Sequence, residues 1–251
     1  HADANADEHA HSDEYPHEPD PVPNYNESMY LNAFDAEREV GGWFRMGNRV
    51  NEGYAEMTVC IYLPGGRVGF IYGRPKITTN DAMDAGGLRI EVVTPFEHLR
   101  VTYDGEVCLL DEPRQMANPR EAFTNNPYAE AEVHLTFTGQ GRPSMFGGEP
   151  DEPHEKPGEE FAKGHYEQLV EATGTMRVGD REWQIAGFGL RAWDPASADP
   201  ERAFSYYSQS LPVFDRNLQN LAQKIRPSCV LAHVRGVAYS TRVEISLQNV
   251  H

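Results

Sequence analysis

Tyr54–Leu63 reads Y-A-E-M-T-V-C-I-Y-L, a Pro-Gly-Gly turn follows at residues 64–66, and residues 67–73 continue as R-V-G-F-I-Y-G. β-Branched and aromatic residues favour strands, and a short glycine-containing turn between two such runs is typical of a β-hairpin. Similar runs, in which apolar and polar residues alternate, recur between Asn26 and Arg191. The sequence therefore predicts an all-β fold, a closed barrel or a sandwich, with a lined interior.

The remaining strands follow from the same alternation. We predict them at residues 43–50, 88–93, 98–103, 106–110, 131–137, 166–178 and 181–188. A turn is expected at Asp104 and Gly105, a short helical turn near Arg120, and an acidic, proline-rich loop at residues 147–158. Because hairpins dominate the connections, the sheet should be mainly antiparallel.

The two ends of the chain differ from this β domain, which we place at residues 26–191. Residues 1–25 hold seven acids, no Lys or Arg and four prolines, which predicts a disordered, acidic, His-rich arm rather than a metal site. Residues 192–251 are predicted to form a helix and strands that complete the β fold or pack on it. The helix follows from an apolar stripe at Phe214, Leu218, Leu221 and Ile225.

The chain is acidic, with a formal net charge of −17. A negative surface repels phosphate backbones and anionic membranes, so we expect neither a nucleic-acid nor a membrane partner. No apolar run approaches the roughly 18 residues that span a bilayer, and the default expectation is a cytoplasmic protein. One hypothesis is a homodimer in which the apolar stripe of the C-terminal helix pairs two copies of the chain.

Polar residues cluster beside the predicted strands more densely than turns require. Residues two apart on a strand face the same side, so His165 and Glu167 are predicted to place an imidazole beside a carboxylate, as acid/base catalysis needs. The alternative is an ordinary exposed strand face. The predicted ligand-binding residues are Glu27, Arg45, Asn48, Glu52, Arg191 and Asp194. For Arg45, a buried ion pair with Glu52 or Glu27 is the structural alternative.

The motifs of several enzyme classes are absent from the sequence. No nucleophile elbow, phosphate-binding loop, zinc-protease helix or dinucleotide fingerprint occurs, so we predict no cofactor and no metal. Cys60, Cys108 and Cys229 match no metal-binding spacing, and the first two occupy apolar strand positions where buried structural thiols are common.

Several linked motifs are specific as a set. They read N-Y-N-E-S-M-Y-L-N-A-F-D at residues 24–35, G-G-W-F-R-M-G-N-R-V-N-E-G at 41–53, F-E-H-L-R-V-T-Y-D-G at 96–105, G-H-Y-E-Q at 164–168 and G-F-G-L-R at 187–191. With them the chain resembles an uncharacterised bacterial family of lipocalin-like β proteins, related to the carotenoid hydratase (hydroxyneurosporene synthase-like) superfamily. The resemblance implies a fold of two lipocalin-like β units around apolar cavities, and relatives that hydrate double bonds or guide the cyclisation of terpenoid and polyketide chains.

The resemblance weakens after Arg191. The family pattern continues with a polar residue and Trp-Gly-Pro-Arg, whereas this chain continues with Ala192, Trp193, Asp194 and Pro195. We interpret residues 192–251 as a divergent or altered C-terminus, and a shifted reading frame is one version of that hypothesis.

Together these observations predict a protein that binds a hydrophobic small molecule such as a terpenoid, steroid or polyketide. If it is an enzyme, hydration, dehydration or isomerisation without a redox cofactor is expected, because an enclosed apolar cavity with one proton donor suits that chemistry. The alternatives are a non-catalytic binding protein and a structural or partner-binding module.

Overall fold

The architecture is a closed antiparallel β-barrel. The computed structural model describes residues 14–140, 144–146 and 165–194, and at 144–146, 165, 166 and 194 it describes the backbone alone. The strands are β1 Glu27–Asp35, β2 Val40–Arg49, β3 Tyr54–Leu63, β4 Arg67–Gly73, β5 Met83–Ala85, β6 Leu88–Thr94, β7 His98–Leu110, β8 Tyr128–Gly139, β9 Ser144–Phe146, β10 His165–Val178 and β11 Arg181–Asp194. One α-helix, α1, spans Pro119–Asn125 in the described part of the chain.

Eight strands form the barrel wall in the order β4-β3-β2-β1-β11-β10-β8-β7. The wall closes where β4 pairs with the end of β7, through Val68 opposite Leu110 and Phe70 opposite Cys108. The strands β5 and β6 extend the sheet from the other half of β7, and β9 pairs with the start of β10. All pairings are antiparallel, which confirms the predicted all-β, lipocalin-like barrel.

The barrel interior is filled by the inward-facing residues of the wall. Side chains alternate between the two faces of each strand, and the inner positions form one continuous apolar cluster. Its large, fully buried members include Leu31, Phe44, Phe137 and Trp193. Burial of each such side chain contributes about 1.5–3 kcal/mol, so this cluster dominates the stability of the fold.

A second, smaller cluster covers part of the outer face. Ring centroids lie 5.9 Å apart for Tyr30 and Trp43, 6.2 Å for Trp43 and Phe70, and 6.0 Å for Phe70 and Phe123. Phe123 belongs to α1, which begins after Asn118, whose side chain accepts a hydrogen bond from the Glu121 amide. The helix confirms the helical turn predicted near Arg120.

One predicted turn is wrong. The strand β7 continues through Asp104 and Gly105, because β8 pairs with it without interruption from His98 to Cys108. The hydroxyl of Tyr103 donates to the carbonyl of Glu106 at 2.8 Å across this point. An Asp-Gly pair forms a hairpin turn when the residues after it pair with the residues before it. Here both sides of the pair instead form hydrogen bonds with β8, so the chain stays extended.

The N-terminal segment is described from residue 14 onward. Within residues 14–25, Glu14 is fully buried and Tyr25 is 2% exposed, whereas Tyr15 and Val22 are exposed. The acidic loop at 147–158, the C-terminal helix and its strands lie outside the described residues. The division into a 1–25 arm, a 26–191 domain and a 192–251 segment therefore stays a prediction.

Two further findings concern membranes and thiols. Within the described residues, no helix has the length and apolar character needed to cross a bilayer. Cys60 and Cys108 are buried, as expected for structural thiols, and burial raises the pKa of Cys60 to about 12. Cys229 lies outside the described residues.

Candidate functional site

A segment outside the barrel wall crosses one of its ends. This segment, residues 14–26, is called the strap below. The end that it covers is formed by the start of β1, the end of β11 and the connections that carry Asn51, Asn80 and Phe96. The side chain of Asn51 donates to the carbonyls of Asp20 and Val22, at 2.7 Å each. The strap is therefore held against the rim of the barrel by polar contacts.

The first polar cluster under the strap centres on Glu27, which is fully buried on the inner face of β1. Its carboxylate accepts hydrogen bonds from the His17 amide at 3.0 Å, the Tyr25 hydroxyl at 3.1 Å and the Asn80 side chain at 2.6 Å. These three bonds end on Oε2, and Nδ1 of His17 lies 2.6 Å from the second carboxylate oxygen, Oε1. Two of these residues, His17 and Tyr25, belong to the strap.

Asn48 completes this first cluster, which we call the Glu27 cluster (His17, Tyr25, Glu27, Asn48 and Asn80). Its amide nitrogen donates to Oδ1 of Asn80 at 3.0 Å and to the carbonyl of Ala82 at 2.9 Å. Oδ1 of Asn48 is buried and has no hydrogen-bond partner among the described residues. A buried acceptor of this kind is costly unless something pairs with it.

The second polar cluster, the Arg191 cluster, consists of Glu14, Phe96, Gln168 and Arg191. Nη1 of Arg191 lies 2.8 and 2.9 Å from the two carboxylate oxygens of Glu14, and Nε donates to Oε1 of Gln168 at 2.7 Å. The guanidinium lies over the Phe96 ring, 5.5 Å from its centroid. Burial lowers the pKa of Arg191, while the charge and hydrogen bonds of Glu14 oppose that shift.

Both clusters face the barrel interior. Glu27 and Asn48 are direct partners on neighbouring strands, and Gln168 and Arg191 are direct partners on β10 and β11. Each of them follows the alternation of the core residues on its strand. One end of an otherwise apolar interior is thus lined by a carboxylate, amides and a guanidinium.

The structure brings together three of the predicted ligand-binding residues, namely Glu27, Asn48 and Arg191. It places Arg45 and Glu52 elsewhere. Arg45 is half-buried on the outer face, with Nη1 3.5 Å from Glu56, and Glu52 pairs with Arg49. The structural alternative, an ion pair of Arg45 with Glu52 or Glu27, is therefore wrong, because β2 turns Arg45 outward and Asn48 inward.

The predicted catalytic pair lies on β10. Glu167 belongs to the outer face, between the inward residues of that strand, and so is separated by the wall from both clusters. His165 stands opposite Phe146 and Asp194 stands opposite Ser28 in the sheet register. The side chains of His165 and Asp194 lie outside the described part.

Sequence reasoning missed Glu14, His17, Asn80, Phe96 and Gln168. The acidic, proline-rich strap has the composition of a solvated segment, and no local signal marks Asn80 or Phe96 as site residues. The described residues include no group of three His, Cys, Asp or Glu side chains arranged to hold a metal. A depression of about 270 Å³ beside α1, lined by Arg114, Glu121 and Asn125 among others, lies on the outer face away from both clusters.

Comparison with models of protein families identifies the family of this chain. The family described as a domain of unknown function (DUF7064) matches residues 10–208, most of the chain. The chain belongs to the DUF7064 family. The DUF7064 match includes the strap, the whole barrel and both polar clusters. No curated protein and no solved structure matches. The relation of this DUF7064 protein to the carotenoid hydratase superfamily stays a prediction.

Proposed function

We propose that the protein binds a hydrophobic small molecule at the barrel end that the strap covers. The observation that supports this most is the position of Glu27 and Arg191, two charged side chains buried inside the barrel. Glu27 contacts His17 and Arg191 contacts Glu14, and both of these partners belong to the strap. Apolar sites closed by a few convergent polar groups are typical of small-molecule binding.

The strap is the element that would move to admit the ligand. It contributes no strand to the barrel, and its contacts with the rim are mainly hydrogen bonds. Tyr15 and Val22 of the strap are 47% and 42% exposed. Segments with few buried apolar contacts open at lower cost than a core strand does. Lifting the strap vacates the space of Glu14 and Tyr25, which gives an apolar body room beside the polar groups.

An acid/base reaction is the catalytic version of this proposal. A bound ligand would meet the Glu27 carboxylate, and His17 at 2.6 Å from it can exchange a proton with that carboxylate. Hydration, dehydration and isomerisation need such a group in an enclosed site. The outer-face position of Glu167 favours Glu27 and His17 over His165 and Glu167 as the proton-transfer pair.

The rival candidate is a structural closure of the barrel. Both oxygens of Glu27 are hydrogen-bonded, and the apolar side chains of the interior already pack against each other. Buried charged pairs of this kind hold a fold in one arrangement without any ligand.

Titration with a neutral fluorescent polyene, the methyl ester of cis-parinaric acid, separates these candidates. We expect saturable binding by the full chain, and faster amide hydrogen exchange in residues 14–26 at saturation, because the ligand displaces the strap. Exchange in β2 and β3 should not change. The variant Glu132→Gln, on the outer face beside Arg177, is the matched control and should bind as the parent does. Absence of saturable binding both of this ester and of cis-parinaric acid itself would support the structural closure.

A further inference from the structure

We propose that Arg191 is a carboxylate-binding site that the chain's own Glu14 occupies, and that the natural ligand is an apolar compound bearing a carboxylate. This inference rests on the proposed function, since it names the chemical class of ligand for the same barrel end. An alcohol, an ester or a hydrocarbon of the same shape would be a poorer ligand.

The guanidinium is held in place without help from Glu14. Nε of Arg191 donates to Gln168, and the Gln168 amide nitrogen donates in turn to the carbonyl of Phe96 at 2.9 Å. The Phe96 ring lies under the charged group. A planar cation fixed by a hydrogen bond and an aromatic face is positioned in advance for an anion. Arg191 would therefore keep its place when Glu14 leaves.

A second donor, besides Nη1 of Arg191, converges on the carboxylate of Glu14. The amide of Phe96 donates to Oε2 of Glu14 at 2.8 Å. Phe96 adopts a φ of 59°, a left-handed conformation that bulky residues rarely adopt. Backbone strain of this kind is found at ligand clamps, where surrounding contacts maintain it. Here it aims a main-chain N–H at the oxygen that Arg191 also contacts, as in a preformed anion site.

The two partners of the ion pair, Arg191 and Glu14, belong to different kinds of element, which favours replacement of Glu14 by a ligand carboxylate. Arg191 and Gln168 belong to neighbouring wall strands, whereas Glu14 belongs to the strap, 177 residues away in sequence. A ligand carboxylate can take the place of Glu14 and keep the buried guanidinium paired. A neutral ligand would displace Glu14 and supply no anion in its place, so the buried guanidinium would lose the contact with that carboxylate. The site should consequently discriminate acids from esters.

Binding of cis-parinaric acid and of its methyl ester to the full chain tests this inference. We expect the parent protein to bind the acid at least about tenfold more tightly than the ester. In Glu14→Gln, which removes the competing carboxylate and keeps the side-chain size, affinity for the acid should rise by about tenfold again. Affinity for the ester should also rise, because the ester no longer breaks the contact between Glu14 and Arg191, and the acid should still bind more tightly than the ester. Glu132→Gln should bind both compounds as the parent does.

Thermal unfolding gives a second readout that depends on the same contact. Glu14→Gln removes the carboxylate that Arg191 contacts, so the variant should unfold at a lower temperature than the parent. At the same concentration, the acid should restore that temperature more fully than the ester. Glu14→Asp, with a shorter carboxylate, replaces Glu14→Gln if the latter does not fold, and it should also bind the acid more tightly than the parent.

Two outcomes would count against the inference and are distinguishable. If the acid and the ester bind equally to every variant, the carboxylate site is refuted while binding at the barrel end stands. If neither compound binds to any variant, the proposed function fails together with the inference.

Discussion

Tyr25 shows how one buried residue couples the strap to pH. Its hydroxyl donates to Glu27 and accepts from Asn80, and burial raises its pKa, with the Glu27 charge as the next cause. The phenol of an unfolded chain titrates near pH 10, at about its ordinary pKa. Above that pH the folded protein keeps a proton that the unfolded chain has lost. The free energy of unfolding should therefore fall as the pH rises above about 10.

Tyr25→Phe tests this coupling. At pH 7 the variant loses a buried hydrogen bond to a charged group, so its free energy of unfolding should be lower by about 1–3 kcal/mol. Between pH 9 and 11, on the other hand, its stability should fall less steeply than that of the parent (a range of about one unit on either side of the free phenol pKa). Urea unfolding at a series of pH values measures both quantities.

Tyr15→Phe is the matched control, because Tyr15 also lies in the strap and is 47% exposed. It should leave both the stability and its pH dependence unchanged. Some alkaline slope will remain in every variant, since burial raises the pKa of Tyr103 to about 12. An unchanged slope in Tyr25→Phe would show that the buried phenol does not contribute.

At the scale of elements, the seam between β1 and β11 depends on a close approach of backbones. A Cβ at Gly189 would lie 1.8 Å from the carbonyl oxygen of Asn32. Side chains supply acceptors along this seam, because Oδ1 of Asn32 accepts from the Leu190 amide and Oδ2 of Asp35 accepts from the Ala186 amide, at 3.0 Å each. The glycine allows β11 to lie close enough for these bonds.

Gly189→Ala should therefore push β1 and β11 apart at the seam between them. We expect a loss of about 1–3 kcal/mol or more in the free energy of unfolding, as for other overpacked positions. Gly73→Ala is the control, because its Cβ would lie 3.6 Å from its nearest neighbour, an ordinary contact. Equal stability of the two variants in urea unfolding would contradict the close approach.

At the scale of the whole molecule, Asn80 connects the strap to the barrel. Its amide nitrogen donates to the carbonyl of His17 at 2.8 Å and to Glu27 at 2.6 Å, and its Oδ1 accepts from Asn48. The strap, β1 and β2 thus share one side chain on the connection between β4 and β5. Loss of this side chain should loosen the strap and leave the eight-stranded wall in place.

Asn80→Ala should raise amide hydrogen exchange in residues 14–26 by about tenfold or more, since several hydrogen bonds of about 1 kcal/mol each are lost there. Exchange in the core strands β2 and β3 should stay close to that of the parent. Asn125→Ala, at an exposed position of α1, serves as the control. Exchange that rises equally in the strap and in the core strands would mean that the two unfold as one unit.

Much of the β fold could be predicted because its signal is local. The Tyr54–Leu63 and Arg67–Gly73 strands begin and end where alternation and the Pro-Gly-Gly turn placed them. Glu27, Asn48 and Arg191 were also recognised as polar residues beside strands. A period of two and the chemistry of a turn depend on neighbouring residues alone, so a single sequence contains that information.

The sequence by itself determined the strand alternation, the antiparallel class and the acidic character of the chain. Only the tertiary structure decided that β7 runs through Asp104, that Arg45 faces outward, and that Glu14 reaches Arg191 across the barrel end. These contacts join residues far apart in the chain, and their energies come from burial and charge pairing that no local pattern records. The composition of the strap predicts a solvated segment. In the folded protein, the contact of Glu14 with the buried Arg191 instead keeps the start of the strap against the barrel.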